Sequence, residues 1–382
     1  MGAEPGGNHP VNCQAAPRVA EFFAGVGLVR MALEQEGCHI VFANDIDCAK
    51  RHIYAANFDA SCFHLCDVRE ISGGSVPDVD LATASFPCTD LSLAGNRAGL
   101  DGAESSILWE FLRVLGEMGH RKPKAILLEN VVGFATSSNG NDLRAAIAAL
   151  NGLGYACDIL SLDARSFIPQ SRPRLFIVGA TTGLPDAWAS SETHPDWAGR
   201  FVQSHPDLAI HALRLPPLPT TDATLAGVVE RMEPIKDLWW DVSRLGLFLA
   251  SLSPIQAERL ESLRRSKRLA WATAYRRTRR GVPVWEIRPD SISGCLRTGS
   301  GGSSKQALVE AGNGNVRVRW MTAREYARLQ GAPGLQFGEA TERQARFALG
   351  DAVCVPVVAW LARHYLVPLV RPPVTEGVTT YA

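Results

Sequence analysis

The chain has 382 residues, 46% of them apolar, enough for one large domain and a smaller one around a substantial core. Its 39 basic and 39 acidic residues cancel, which excludes a whole-molecule field for polyanions and leaves only a local patch for any nucleic-acid contact. Nine cysteines form no CxxC pair and no Cys/His cluster at zinc spacing, a pattern that argues against a metal module and suits reduced thiols in a cytoplasmic compartment. No apolar run is expected to reach the length of a membrane span.

Residues 1–17, rich in Gly, Pro, Asn and Ala, read as a disordered tail. A strand over 18–23 then leads through Ala24-Gly25-Val26-Gly27 into a helix over 28–36. Strand, Gly-x-Gly turn and helix open a nucleotide-type βαβ unit, in which the glycines let backbone approach a ligand at a helix N-terminus. The missing third glycine of the dinucleotide fingerprint argues against a nicotinamide oxidoreductase. A second strand, 39–44, ends in Asp45-Ile46-Asp47, and a third ends at Cys66-Asp67-Val68. A carboxylate at the end of the second strand is placed to accept from ribose hydroxyls, although Asp47 also suits a helix N-cap. Three strand ends carrying Gly-x-Gly, Asp and Asp suit an adenosine.

The run 79–84 is a short buried strand that breaks at Pro87 and presents Cys88 at the start of a loop with Gly95, Gly99 and Gly102. A thiol at the carboxyl end of a parallel strand lies where open α/β sheets do chemistry, and it needs cations nearby to become a thiolate. After a helix over 105–119, the strand 125–128 ends in Glu129-Asn130-Val131, a carboxylate able to reach the same cleft. A helix over 141–153 and a strand over 155–164 follow. Then Pro169-Gln170-Ser171-Arg172-Pro173-Arg174 enters the strand 175–179, with two arginines at alternate positions pointing to one side.

From about Thr182 the alternation stops and prolines gather, with Trp239, Trp240, Trp271 and Trp285 in an irregular setting. Between Arg264 and Arg280 stand eight basic residues, Arg276 and Arg277 among them, with no acidic residue and with Trp271 and Tyr275 interleaved. That is a footprint of phosphate-backbone binding, or else a solvated basic helix. Ser303 and Ser304 lie in a Gly/Ser loop able to approach a groove. Regular structure resumes near 316, with helices over 323–330 and 341–349 and a final apolar helix to 365 after Gly350-Asp351-Ala352-Val353.

Together these stretches resemble the cytosine-5 DNA methyltransferases. Phe23 to Gly27 resembles the family's cofactor motif, Phe86-Pro87-Cys88 with Ser92 the nucleophile motif, Glu129-Asn130-Val131 the acidic motif, and Gln170 to Arg174 the paired-arginine motif. Arg319 to Thr322 with Glu325, Arg328 and Gln330-Gly331 resembles the motif closing the recognition domain, and Gly350 to Val353 with Val355-Pro356-Val357 the last motif. The order agrees from about residue 18 to 366. The resemblance implies an α/β class I methyltransferase fold, a Rossmann-like doubly wound sheet over 18–182 and 317–370. A smaller target-recognition domain is inserted at 183–316, and a tail follows from 371. It implies S-adenosylmethionine as cofactor and no metal. It also implies double-stranded DNA as partner, a monomer, and a question open as to a companion restriction endonuclease.

By that resemblance Cys88 adds to C6 of a flipped-out cytosine and Glu129 bonds N3 and the amino group. Arg174 holds O2, and Arg172 lies near the thiolate. Phe23 stacks on adenine, Asp45 binds ribose and Asp67 the adenine amino group. Ala24, Gly25, Gly27, Ile46, Val68, Pro87, Asp351, Ala352 and Val353 complete the cofactor pocket. Ile46 replaces a frequent aromatic and Asp351 a frequent Asn. Ser92, Arg97, Gln170, Arg276, Arg277, Ser303 and Ser304 are expected on DNA. Two rivals are a transfer-RNA methyltransferase with the same catalysis and a silent DNA-binding homologue, the latter opposed by the intact Cys88, Glu129, Arg172 and Arg174.

Overall fold

Val19, Ala20, Glu21 and Phe22 are all buried in β1 (Arg18–Phe22), the signature of a strand covered on both faces. The other strands of its sheet are β2 (His39–Asp45), β3 (Phe63–Leu65), β4 (Leu81–Ala84), β5 (Ala125–Val131), β6 (Ala156–Asp163) and β7 (Pro173–Ala180). The computed structural model describes residues 15–87, 107–182, 190–232, 238–298 and 305–371. The seven strands lie in the order β3-β2-β1-β4-β5-β7-β6, the first five parallel and β7 antiparallel between its neighbours. Alternate residues of each strand face opposite cores. Helices α1 (Leu28–Gln35) and α2 (Cys48–Ala55) cover one face, and α3 (Ile107–Met118) and α4 (Asn141–Gly152) the other.

The third strand ends at Leu65, short of the expected Cys66-Asp67-Val68. Asp67 accepts from Arg69 N and starts a 3-10 turn at Val68, because a short acceptor side chain competes with the sheet ladder for local amides.

Beyond β7 the chain stays on the large sheet for longer than the sequence suggests. In α5 (Asp196–Ser204), Ala198 and Phe201 join the core under α3 and α4. Leu225 and Val228 of α6 (Leu225–Val228) join the opposite core. Residues beyond the boundary expected at 183 thus still pack on the two cores, because a change of periodicity marks the end of strand-helix alternation, not where later side chains pack. Helices α7 (Val242–Ala250) and α8 (Pro254–Arg265) then precede β8 (Ala270–Arg279), β9 (Val282–Ile287), β10 (Ala307–Gly312) and β11 (Asn315–Trp320). These four strands form an antiparallel sheet in the order β11-β10-β8-β9, so the other boundary, expected at 316/317, cuts through β11. The small sheet carries α7 and α8 on one face, around Phe248, Leu260, Ala272, Val309 and Val318. Its other face, with Leu308 and Trp271, packs toward the large core.

Helices α9 (Ala323–Leu329), α10 (Glu342–Asp351) and α11 (Val355–Leu361) return to the large sheet, where α11 packs on α1. Contrary to the sequence expectation, the helical run 342–370 is long and apolar enough to cross a membrane by length and composition. Its Val355, Val358, Leu361, Tyr365 and Leu366 are buried in the protein core, which accounts for the apolarity, and Ala352 breaks the run with an extended backbone.

Candidate active site

The order of strands reverses between β1 and β4, and in open α/β sheets the crevice at such a switch point receives ligands. The turn leaving β1 is unusual: Phe23, Gly25 and Gly27 have φ of 56°, 57° and 82°. A non-glycine residue in this region is strained and recurs at functional sites. At Gly27 a Cβ would come within 2.5 Å of the Phe58 ring, so both its conformation and its packing demand glycine.

Asp45, at the end of the neighbouring β2, ties this turn down. Its Oδ2 accepts from Gly25 N at 2.8 Å and its Oδ1 from Asp47 N at 2.9 Å, which leaves lone pairs on each oxygen for a further donor. Next to it Ile46 is 68% exposed, an apolar surface beside a buried carboxylate. Asp47 is the N-cap of α2, accepting from Ala49 N and Lys50 N. Asp351 arrives from α10 and pairs with Lys50 Nζ at 2.7 Å. Burial works against the Lys50 charge, yet the carboxylates of Asp351, Asp45 and Asp47 raise its pKa. Asp67, expected on the adenine amino group, pairs with Arg69 at 3.0 Å.

On the other side of the switch point, Asn130 bonds Phe86 O at 3.1 Å through Nδ2 and receives Val131 N on Oδ1. It thereby fixes the strand end that leads to Pro87 and Cys88. Sequence reading assigns Asn130 no such role, since an Asn after a strand equally suits a turn. Cys88 itself, with Ser92 and Arg97, lies outside the described residues, as do Ser303 and Ser304.

Pairing of β5 with β7 places Arg174 opposite Val131, so Arg174 and Glu129 share a face as diagonal neighbours. Arg174 Nε meets Glu129 Oε1 at 2.9 Å. Glu129 is only 7% exposed, and burial pushes its carboxyl above the usual range despite the opposing pull of Arg174 and Arg172. Arg172 is buried and its guanidinium clamps three carbonyls: Leu296 O at 3.0 Å, Gly350 O at 3.3 Å and Ala352 O at 2.6 Å. Among the described residues, then, Arg172 works as a clamp that locks the Gly350–Val353 segment to the site.

Gln170, expected on DNA, is fully buried: it donates to Leu329 O and accepts from Leu296 N at 3.2 Å. A paired-arginine motif read as a string cannot reveal that its first residue turns inward to hold two other segments.

The clamp presents a residue that sequence reading missed. Cys295 Sγ lies 3.5 Å from Arg172 Nη1 and 3.7 Å from Arg174 Nη2. Burial would raise its pKa, but Arg174, Arg172 and Arg297 together lower it. By contrast, burial raises Cys38 to about 11 and Cys354 to about 12. No spacing rule picks Cys295 out, because its neighbours lie more than 120 residues away.

The basic run divides by strand alternation. Arg276 sits opposite Trp285, on the face carrying α7. Arg277 and Arg279 emerge on the other face and pair with Glu286 at 3.3 and 2.6 Å, while Arg264 and Arg265 pair with Glu261. Four of the eight basic residues of the expected patch thus share two carboxylates, Glu261 and Glu286, that lie outside the run, which partly offsets its charge. Nor do the tryptophans stand in an irregular setting: Trp240 and Trp285 pack with Trp320 on the small sheet, and Trp271 Nε1 donates to Glu310.

A family model for C-5 cytosine-specific DNA methylases matches residues 17–366. The chain belongs to that family. Among its relatives, it is 32% identical over 169 residues to the Type II methyltransferase M.NgoBI of Neisseria gonorrhoeae, covering 44% of this chain and 52% of that protein. To M.HaeII of Haemophilus aegyptius it is 35% identical over 163 residues, covering 42% and 50%. The chain thus spans about half the length of these relatives. Its match to M1.ScrFI of Lactococcus lactis subsp. cremoris is longer, 26% identity over 91% of this chain and 78% of that one. The Dnmt2 methyltransferase of S. pombe shares the fold, with a TM-score of 0.61, 21% identity, and coverage of 93% of this chain and 99% of that one. So does EhMeth of Entamoeba histolytica, at 0.60, 15%, 94% and 98%. The class I methyltransferase architecture expected from the sequence is the one present.

Proposed function

We propose that this methylase-family chain transfers a methyl group from S-adenosylmethionine to C5 of a cytosine in double-stranded DNA. The observation that carries the reading is the Glu129–Arg174 pair, held beside the strand end that leads to Cys88.

The residues at the ends of β1 and β2 fit the cofactor. A strained turn with glycines can approach it closely, Ile46 offers an apolar face for adenine, and Asp45 retains acceptor capacity for ribose hydroxyls. When bound, it supplies a methyl group on a sulfonium. Ala24, Val68, Pro87, Asp351, Ala352 and Val353 are assigned to the same pocket.

Cytosine C5 is a poor nucleophile. The Cys88 thiolate adds to C6, and the displaced electron pair makes C5 enamine-like. C5 then takes the methyl group, its proton leaves, and the C6–S bond breaks with its pair returning to sulfur. Glu129, with its carboxyl held toward the neutral form, donates to N3 and accepts from the amino group, which stabilises the charge developing on the ring. Arg174 holds both Glu129 and the base O2. Unstacking the base costs a few kcal/mol, which contacts to the bound duplex must offset. The Type II names of the relatives support a role of the restriction-modification type, and a monomeric state, a cytoplasmic location and a companion restriction endonuclease belong to the same proposal.

Tritiated methyl transfer to duplex DNA, followed by bisulfite sequencing, tests the reading. Cys88→Ala should keep cofactor binding and abolish transfer, and a duplex carrying 5-fluorocytosine should become bonded to the unmodified protein. Label recovered only in RNA, or turnover retained by Cys88→Ala, would overturn it.

A further inference from the structure

The small sheet bears a cavity of ≈ 440 Å³ on the face covered by α7, remote from Glu129 in sequence and separate from its clamp. Its walls are indoles: Trp240, Trp285 and Trp320 lie with ring centroids 5.2 to 5.7 Å apart, and Phe248 closes the base. Its rim is cationic: Arg244, Arg276 and Lys305 line it, and among the described residues no carboxylate does. Arg244 lies 4.3 Å from the Trp240 ring centre and Lys305 Nζ 5.8 Å from that of Trp320. Trp240 Nε1 is a buried donor with no acceptor among the described residues. At the mouth, Leu247 is 74% exposed.

Each feature points to the same ligand chemistry. Aromatic walls, here tilted or edge-on to one another, suit a planar π-system, and base–aromatic stacking is indifferent to base identity. Three cations converging on one rim suit a dianion. A lone buried indole N–H seeks an acceptor, because an unmet donor costs about 1–3 kcal/mol. The volume falls in the range of small-molecule sites. A bare hydrocarbon would leave the N–H and the cations unanswered, and a free phosphate would leave the indoles unused.

We propose that this cavity binds a nucleobase together with its 5′-phosphate, using Trp240 and Trp285 for the base and Arg276 and Lys305 for the phosphate. Two sources share that chemistry: a nucleotide of a DNA strand lying over the small sheet, and a free mononucleotide. The inference does not depend on methyl transfer by the protein.

Calorimetric titration of the full chain with thymidine 5′-monophosphate is the direct test, since thymine is neither the adenine of the cofactor nor a cytosine for Glu129. A ten-nucleotide thymidine strand forms the second arm. Binding of both, or of the strand alone, places the nucleotide in DNA, and binding of the mononucleotide alone makes the cavity an effector site. The exposed double variant Arg276→Glu with Lys305→Glu should weaken binding at least tenfold. Trp285→Ala should abolish it and Trp285→Phe restore most of it. No heat with either ligand, or unchanged affinity in the charge-reversal variant, overturns the proposal. Absence of methylation with nucleotide binding intact would instead tell against the catalytic reading alone.

Discussion

Burial and charge oppose one another at several single residues, and the winner differs with the geometry. At Glu21 burial wins. The side chain is enclosed in β1, one oxygen accepts from Arg30 N at 3.3 Å, the other has no partner among the described residues, and desolvation raises the pKa to about 8 against the pull of Arg30. A raised folded-state pKa means the fold favours the protonated form. The stability tied to this group is complete below the ordinary carboxylate value near 4.5 and is lost as pH rises through about 8. The loss is about 1.4 kcal/mol per unit across that window. Glu21→Gln, a neutral shape mimic, should therefore hold its urea midpoint between pH 6 and 9 while the unmodified protein declines; parallel profiles would refute the assignment. At Cys295 the cations win. Iodoacetamide at neutral pH should alkylate Cys295 well before Cys38, Cys157 and Cys354, which burial holds in the thiol form. Mass spectrometry of the peptides reads the order, and a Cys295 no faster than Cys38 would contradict the two-guanidinium environment.

At the scale of elements, the join between β11 and α9 rests on one buried pair. Arg319 and Glu325 are both fully buried, with Arg319 Nη1 2.8 Å from Glu325 Oε2. Glu325 also completes the Thr322 capping box and accepts from Glu230 N at 2.9 Å. Removing one partner leaves a buried charge alone, which costs about 3–5 kcal/mol, whereas replacing both by apolar residues of similar volume is often neutral. Arg319→Met should thus lower the melting temperature sharply. Adding Glu325→Leu should recover part of the loss, less the capping box. A double variant worse than the sum of the singles would mean that the hydrogen bonds, not the charges, hold the join. The helix was expected over 323–330, near its observed bounds, whereas its buried pairing to Arg319 left no periodic signal to read.

Across the whole molecule, a polar network ties together three stretches of chain far apart in sequence. Asp158 of β6 receives His194 Nε2 at 2.9 Å and Tyr365 OH at 2.8 Å, while His211 Nε2 meets the same Tyr365 oxygen at 2.9 Å. Burial lowers the His211 pKa, which suits a neutral ring donating through Nε2. Tyr365→Phe leaves Asp158 and His211 each short of a partner and should cost about 1–3 kcal/mol. Hydrogen exchange should speed up in residues 190–215 and in the C-terminal helix together; a loss confined to the helix would show that the stretches are not coupled.

The sequence by itself determined the parts of this protein that are local or periodic. Strand and helix positions in the large sheet followed from runs of side chains, though not those between 182 and 316; the turn after β1 followed from its glycines, the N-cap at Asp47 from its residue type, and the family from the order of its motifs. What only the tertiary structure decided is which residues share a space. Gln170 turned inward, Arg172 became a clamp, Arg277 and Arg279 found Glu286 across a strand pair, and Cys295 came to rest between two guanidiniums. The physical reason is that propensity and period act over a few residues, whereas burial, ion pairing and pKa depend on distances through space that folding sets between segments more than a hundred residues apart.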